Sequence, residues 1–366
     1  MKISPLMERF LNILELYFRR SPAGTLLSIG ALLMLGGPQL AFKLVFSKKN
    51  HEGEFISGEI SSADTEWWVN TTCLGVGAIL VCIGLYFSWI LFNDQRRNRV
   101  IAIELRGLNQ TIDTPLANAV PRRVLGTRDS IFIDVRNLVE GTDQQKKKAV
   151  DAVNNLSQLL AQKKDGRDRS DLVVYAGGLA PVPLLFLTGT LLASESVINW
   201  LDWDRKKLDW VSPSSGVDLP NLLPAEITPT RHTEAVLIAS ISYPVDLNEV
   251  AKSFPEKYIV EIKLEESYPG LVVSETSIQL IMQQFMKTIV SLQKNGIKKI
   301  HLILAAPSVL SLRLGTSYAG RNMPTLIVYQ YQRGQEENPY PWGIKMPTSE
   351  TPSGEFVKNS VIAQTA

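Results

Sequence analysis

Two long runs without a charged residue constrain this chain more than any other feature of its sequence. The first, residues 22–42, contains 21 residues, and the second, residues 67–93, contains 27. A helix of about 20 residues is roughly 30 Å long, which matches the hydrocarbon core of a bilayer. The two runs therefore predict transmembrane helices at about residues 22–44 and 67–93, which form a hairpin within residues 21–97.

The residues that flank the hairpin predict its orientation. Arg19 and Arg20 precede the first run, and Arg96, Arg97 and Arg99 follow the second, whereas the connecting loop is mostly acidic. Because basic residues are retained on the cytoplasmic side of a membrane, we expect both termini in the cytoplasm. Residues 1–20 place apolar side chains at helical spacing among acids and bases, which predicts an amphipathic helix on the membrane surface.

The uncharged runs themselves leave two roles open. Neither contains an Asp, Glu, Arg or His. A single hairpin of this composition cannot line a water-filled pathway, so it is either an anchor or one part of a pore that many copies would form together.

A repeat organises the remainder of the chain. Residues 175–189 read YAGGLAPVPLLFLTG and residues 301–315 read HLILAAPSVLSLRLG. The two segments share Ala-Pro at their sixth and seventh positions, Leu at the tenth and Gly at the fifteenth, without a gap. Each has an apolar strand pattern and follows a long amphipathic stretch. The repeat predicts two fused copies of one α/β unit.

The order of predicted elements supports two such units. Apolar runs predict strands near residues 100–106, 130–135, 172–175 and 197–204, and again near 236–241, 258–262, 299–304 and 325–331. Amphipathic stretches predict helices over residues 144–164 and 274–295. The first unit is assigned to residues 98–204, a connector rich in Pro and Ser to 205–233, the second unit to 234–340, and a polar tail, expected to be partly loose, to 341–366. The order β–β–α–β–α–β predicts largely parallel sheets.

Charge and missing motifs exclude several classes of function. Residues 93–366 carry 31 basic and 29 acidic side chains, too even a balance for a protein that holds long nucleic acid by its phosphates. The chain has no P-loop, HExxH, CxxC or GxSxG motif. Both cysteines, Cys73 and Cys82, lie inside the second apolar run, which disfavours a disulfide or a zinc site. We therefore expect a protein that is not an enzyme and needs no metal or cofactor.

Residues 301–331 carry a resemblance to a known family. The strand, the segment AAPSVLSLRLGTSYAG and the following strand LIVYQY resemble the C-terminal half of SAVED domains, the sensors of bacterial antiphage signalling systems (CBASS) that respond to cyclic oligonucleotides. The resemblance covers roughly residues 98–340. It implies an α/β fold of two fused CARF-like, Rossmann-like units, in agreement with the repeat. A transmembrane hairpin ahead of such a domain resembles the membrane effectors of this family.

The resemblance implies a set of partners. The ligand would be a cyclic di- or trinucleotide made by a CD-NTase-type nucleotidyltransferase. Ligand binding would drive homo-oligomerisation, gather the hairpins, disrupt the bacterial inner membrane and stop an infected cell.

Ligands of open α/β sheets collect beyond the carboxyl ends of the strands, and a strand that turns into a helix there presents free N–H groups. The predicted strand ends carry glycines that permit close approach, hydroxyl groups, arginines that suit phosphate and tyrosines that can stack on a base. The candidate ligand-binding residues are Arg106, Gly177, Gly178, Ser240, Ser242, Tyr243, Pro307, Ser308, Arg313 and Tyr318. Each also has a structural interpretation, as turn, solvated helix face or core.

Two alternatives to a receptor remain open at this point. The domain could degrade its ligand as a phosphodiesterase, or it could be a membrane-tethered scaffold that binds protein and ignores nucleotides.

Overall fold

The structure, a computed structural model, describes residues 22–36, 67–109, 114–195, 197–214, 221–223, 225–266 and 274–360. The chain divides into two units, Met1–Arg97 and Asn98–Ala366. The predicted surface helix of residues 1–20 lies outside the described residues.

Two helices form the described part of the first unit. Helix α1 spans Pro22–Gly36 and helix α2 spans Trp67–Arg97. They pack closely, because a Cβ on Gly30 would lie 2.8 Å from the carbonyl oxygen of Gly77. Small residues at a crossing allow such an approach between apolar helices.

The two helices differ in length. In α2, the segment Thr71–Ile90 is long and apolar enough to cross a membrane. Helix α1 has 15 residues, about 22 Å, and its apolar part Ala23–Met34 is shorter than a full span. The predicted continuation of the first span, residues 37–44, lies outside the described residues.

The second unit contains two sheets, and the first is entirely parallel. Its strands are β1 (Arg99–Arg106), β2 (Thr127–Asp134), β3 (Leu172–Leu179) and β4 (Ile198–Trp200), in the spatial order β2-β1-β3-β4. The predicted strands are confirmed here, except that the fourth ends at Trp200. The chain then forms a hairpin of β5 (Asp202–Asp204) and β6 (Asp209–Val211).

Helices connect these strands. They are α3 (Leu116–Ala119), α4 (Arg136–Val139), α5 (Asp143–Asn154), α6 (Leu156–Lys164) and α7 (Val182–Leu192), with a 3₁₀ turn at Arg169–Asp171. Helix α5 starts at a capping box, in which the Thr142 side chain and the Gln145 side chain each bind the other's backbone N–H. The predicted helix of residues 144–164 is interrupted at Asn155.

The second sheet repeats the first. Its parallel strands are β8 (Glu234–Ser240), β9 (Tyr258–Leu264), β10 (Lys299–Ala305) and β11 (Thr325–Gln330), in the order β9-β8-β10-β11. Strand for strand this is the order of the first sheet, so the predicted duplication is present in the topology. The connecting helices are α8 (Leu247–Ser253), α9 (Glu275–Lys294) and α10 (Ser308–Ser317).

Antiparallel strands extend both edges of the second sheet. From the predicted connector, β7 (Leu222–Leu223) pairs with β9. From the predicted tail, β12 (Trp342–Lys345) pairs with β11 and β13 (Glu355–Lys358) pairs with β12. The expectation of a loose tail is therefore wrong for these residues. The apolar residues Trp342, Ile344 and Met346 are buried at alternate positions, and the prolines around so short a segment hide this pattern in the sequence.

Helices α7 and α10 cross where the two halves of the second unit meet. A Cβ on Gly189 would collide with the backbone carbonyl of Leu312, and one on Gly315 with the carbonyl of Phe186. The two glycines that the repeat aligns thus lie at one crossing, and their missing side chains let two helix backbones touch. A single hydrophobic core runs through both halves. Because residues 98–360 enclose this core, they constitute a domain able to fold without the hairpin.

Candidate functional site

In each half the strand order reverses between the first and third strands, which makes this point a topological switch point. In the first half, the Gly107 N–H donates to the Leu179 carbonyl at 2.7 Å, beyond the end of β1. In the second half, the Ile241 N–H donates to the Ala305 carbonyl at 3.0 Å in the same way. Such switch points are where open α/β sheets bind ligands. The two switch points are therefore the candidate sites.

Helices α7 and α10 start at these switch points. The first turn of each helix contacts a side chain that belongs to the other half. The N–H of Val182, at the start of α7, donates to Gln330 Oε1 at 3.0 Å. The N–H of Val309, at the start of α10, faces the carboxyl group of Asp202 and acts to lower its pKa. These two contacts, called the cross-half caps below, occupy N–H groups that the sequence predicts to be free.

The capping side chains occupy the same position of the repeat. Pairing places Ala176 opposite Trp200 in the first sheet and Leu302 opposite Val328 in the second. Asp202 lies two residues after Trp200, and Gln330 lies two residues after Val328. The two halves therefore use one geometry with two different side chains, one ionisable and one neutral.

Asp202 has an unusual electrostatic environment. Burial raises the pKa of its carboxyl group from 3.8 to about 6, although N–H groups of Trp203 and Val309 and the charge of Arg205 act in the opposite direction. Loss of water around a carboxylate disfavours the charged form. The α10 cap consequently changes its charge near pH 6.

A cleft of about 340 Å³ opens at the carboxyl ends of β10 and β11. This volume lies in the range of small-molecule pockets. Its lining includes four tyrosines, the α7 start and the α7 cap: Tyr243, Tyr329, Tyr331, Tyr340, Val182 and Gln330. Tyr243 is 55% exposed and Tyr331 42%. Exposed aromatic rings on a cleft offer stacking surfaces to the flat face of a base.

Acids stand on the rim of this cleft. Asp246 caps the N–H of Asn248, and Glu249 accepts a hydrogen bond from the Tyr331 hydroxyl at 3.3 Å. Carboxylates repel phosphate and attract amino groups. The rim thus suits the donor edge of a base better than a phosphate.

A second cleft of about 540 Å³ adjoins the first at the ends of β8 and β9. The two share Pro244 and Val245. Inside it the Ser240 hydroxyl donates to Glu261 at 2.8 Å, and Lys263 approaches the same carboxylate at 3.6 Å. Ser240 is buried and belongs to the lining through this bond.

The structure places four of the candidate residues at the edge of the second half. Tyr243 lines the cleft, and Ser242 follows β8, where its N–H donates to the Ala305 carbonyl at 2.8 Å. Pro307 and Ser308 form the start of α10.

Both predicted phosphate-binding arginines are bound within the protein. Arg106 pairs with Glu104 at 2.5 Å and lies over the Phe132 ring. Arg313 binds both carboxylate oxygens of Glu275, at 2.5 and 2.7 Å, and lowers the pKa of that carboxyl group. A ligand phosphate would have to compete with a carboxylate at either position.

The predicted glycines and Tyr318 serve packing. Gly177 and Gly178 lie inside β3, whose end is Leu179, so their placement at a strand end is wrong. The space that a side chain would need at Gly177 is occupied by the Leu201 carbonyl and by Trp210. Tyr318 is buried, its hydroxyl donates to the Pro324 carbonyl at 3.1 Å, and burial raises its pKa to about 12.

Sequence reasoning missed the two capping residues and Tyr331. All three residues lie within the predicted fourth strands, at 197–204 and 325–331, and no local pattern marks them as part of a site. Aligning the two predicted fourth strands by their first residues, 197 and 325, would have placed Asp202 on Gln330. Among the described residues, no cluster of three or more His, Cys, Asp or Glu side chains could hold a metal ion.

Comparisons with known proteins bear on the whole chain. A family profile described as SAVED, "SMODS-associated and fused to various effectors sensor domain", matches residues 156–346. A second profile, "SAVED-fused 2TM effector domain", matches residues 4–150. No curated protein matches.

Solved structures with a similar arrangement include two of the Acinetobacter baumannii Cap4 SAVED/CARF-domain containing receptor, with the cyclic trinucleotides 2′3′3′-cAAA and 3′3′3′-cAAA. Both have a TM-score of 0.46, at 10% and 11% identity, and the similarity covers 76% of this chain and 58% of the receptor. The Moraxella osloensis Cap4 receptor has a TM-score of 0.41 at 12% identity, over 76% of this chain and 56% of that one. This chain thus spans less than two thirds of those receptors.

The profile boundary falls inside a folded unit. The effector profile ends at residue 150, within α5, and the sensor profile begins at residue 156. Yet β1 lies between β2 and β3 in one sheet. Residues 99–134 are therefore structurally part of the sensor half.

Proposed function

Because this chain belongs to the SAVED family and carries the two-helix effector region of that family ahead of its sensor, we propose that it is a membrane effector of CBASS antiphage defence that detects a cyclic oligonucleotide. The observation that carries the proposal is the SAVED match over a duplicated α/β fold.

The geometry supports a small, flat ligand. The tyrosine-lined cleft adjoins the switch point of the second half, and Val182 brings the first half's helix start to the same place. Stacking on an exposed tyrosine contributes about 1–3 kcal/mol per base. We infer that a cyclic di- or trinucleotide inserts a base beside Tyr243 and Tyr331.

The proposed response is assembly. Ligand shifts an equilibrium only by binding one state better than another, so a ligand that contacts two copies would favour their association. Association of sensors would gather hairpins in the inner membrane, with both termini cytoplasmic, and open a lesion. The ligand would come from a CD-NTase-type nucleotidyltransferase and would be released intact, since the proposed role is not enzymatic.

Dye release from liposomes that carry the full chain tests this proposal. A panel of cyclic di- and trinucleotides, including both cAAA isomers, should contain a compound that binds by calorimetry and releases dye. Tyr243→Ala should weaken binding roughly 10-fold or more, whereas Leu208→Ala, on an exposed loop outside the cleft, should leave it unchanged.

Two results would overturn the proposal. Absence of both heat and leakage across the panel would favour a protein-binding scaffold. Chromatography that shows cleavage of the bound nucleotide would favour a phosphodiesterase.

A further inference from the structure

A basic loop lies next to the point where the chain leaves its long apolar helix. It comprises residues 121–126 and precedes β2. Only Asn98 separates the end of α2 from β1. The Thr127 N–H donates to the Asn98 carbonyl at 2.9 Å, and Gly126, at a φ of +145°, packs against the Asn98 backbone. The loop therefore adjoins residue 98.

The loop presents positive charge and one apolar side chain to its surroundings. Arg122 and Arg123 are exposed, and Leu125 is 38% exposed. Arg128 holds the loop in shape, because its guanidinium donates to the carbonyls of Val120, Pro121 and Val124. These acceptors are uncharged, so Arg128 keeps its full positive charge at the same place.

The acidic residues near this loop do not neutralise the positive charge of its arginines. Asp129 is held by Arg99 and Lys163, at 3.3 and 3.0 Å. The turn that leads into β3 carries acids and bases in similar number: Asp165, Asp168 and Asp171, with Lys164, Arg167 and Arg169. In the part of the chain that the structure describes, no carboxylate forms an ion pair with Arg122 or Arg123.

Chain length limits how far this loop can lie from the membrane. The apolar segment of α2 ends at Ile90, and seven helical residues, about 10 Å, follow before Asn98. The headgroup layer is roughly 5–8 Å thick on each side of the hydrocarbon core, and an extended arginine reaches across several ångströms more.

We propose that the loop of residues 121–126 binds the anionic headgroups of the membrane that α2 crosses, with Arg122 and Arg123 on lipid phosphates and Leu125 in the interfacial layer. The inference rests on the membrane-spanning role of α2, and it is independent of the ligand of the sensor. Clustered basic residues beside an apolar side chain are what anionic lipid surfaces attract.

A position-specific fluorescence experiment on the full chain tests the contact. An environment-sensitive dye is attached at Leu125→Cys in a Cys73→Ser/Cys82→Ser background, in liposomes of phosphatidylglycerol and phosphatidylcholine with a headgroup nitroxide quencher. Leu208→Cys is the matched control. It is 65% exposed and follows Arg205, Lys206 and Lys207, in a hairpin that leaves from the carboxyl end of β4. Quenching at position 125 but not at 208 is expected, and equal quenching at both, or none at 125, would overturn the proposal.

Vesicle binding by residues 98–366 separates this inference from the proposed function. Sedimentation with phosphatidylglycerol vesicles should exceed that with phosphatidylcholine, and Arg122→Gln/Arg123→Gln should weaken it about 25-fold, near fivefold per arginine. The same variant should bind cyclic nucleotide as the parent does. Equal affinity for both lipids, or tighter binding to a single-stranded oligonucleotide than to anionic vesicles, would contradict a lipid surface.

Discussion

At the scale of single residues, the cross-half caps distinguish the two copies of the repeat. Gln330 accepts an N–H from the opposite helix start and Asp202 faces one, but only Asp202 ionises. An ionised carboxylate at a helix N-terminus is favoured by the helix dipole, whereas burial disfavours it. Burial is the larger effect here, so the α10 cap stabilises the fold less when it is charged.

This balance predicts how stability depends on pH. The folded pKa of Asp202 is about 6 and the unfolded value 3.8, so the folded state retains a proton that the unfolded state has lost between these values. The free energy of unfolding should therefore fall as pH rises from about 4 to 6, by roughly 2–3 kcal/mol, and should not recover above pH 6.

Asp202→Asn should remove that fall, because an amide oxygen can still accept the Trp203 N–H without ionising. Thermal unfolding of residues 98–366 from pH 4 to 7.5 measures it, with Asp204→Asn as control, since Asp204 is solvated and its pKa is lowered rather than raised. Parallel pH profiles for Asp202→Asn and the parent would contradict the assignment.

A second residue-scale prediction concerns Arg313. Its two hydrogen bonds to Glu275 join α10 to the first turn of α9. Glu275 is 43% exposed, so water screens the pair and we expect a coupling energy of only about 1 kcal/mol. A double-mutant cycle of Arg313→Ala and Glu275→Gln by denaturant unfolding measures it. A role in phosphate binding would instead appear as loss of ligand affinity in Arg313→Ala that Glu275→Gln does not share.

At the scale of elements, the crossing of α7 and α10 sets how the two sensor halves fit together. Gly189 and Gly315 each meet the backbone of the opposite helix. Backbone cannot move aside as a flexible side chain can. A single methyl group at either position must separate the helices and open the core that they share.

Gly315→Ala should therefore destabilise residues 98–366 by about 4 kcal/mol or more, or prevent folding. Ser311→Ala, one turn earlier and fully buried, adds no atoms and removes one bond to the Pro307 carbonyl, so it should cost about 1 kcal/mol. Circular dichroism and soluble yield compare the two variants. A Gly315→Ala protein as stable as Ser311→Ala would show that the helices are not in backbone contact.

At the scale of the whole molecule, the C-terminal strands connect the second sheet to the first half. The Asn154 side chain of α5 exchanges two hydrogen bonds with the Gly354 backbone, at 2.9 and 2.8 Å. Lys358 pairs with Asp143 at 3.0 Å, and Trp342 is buried under the side chain of Lys146. The C-terminal strands thus pack on an element that lies about 200 residues earlier in the chain.

Truncation should reveal this dependence. A chain that ends at residue 338 lacks β12 and β13 and exposes one edge of β11, so we expect aggregation or loss of cooperative unfolding. A chain that ends at residue 360 retains both strands and should match the full domain. Solubility and thermal unfolding distinguish the two, and equal behaviour would contradict a structural role for the C-terminal strands.

Much of this architecture could be predicted from the sequence because its signals are local. Buried parallel strands are continuous apolar runs, and the Ala-Pro corner with its distant glycine recurs at a fixed spacing. The site was harder to predict, because Arg106 and Arg313 look available for phosphate until Glu104 and Glu275 are placed beside them. The cross-half caps join residues more than 100 positions apart, and no local pattern marks them.

The backbone contact at Gly189 and Gly315 limits how this protein can respond to a signal. Helices α7 and α10 touch backbone to backbone, with no side chains between them. The two halves therefore cannot slide past each other to close around a small molecule. Ligand binding would then be transmitted by conformational changes in the surface loops, and not by rotation of one half against the other. Under the proposed function, a second copy of the chain would detect the bound ligand at the exposed edge of the cleft, and the angle between the two halves would not change.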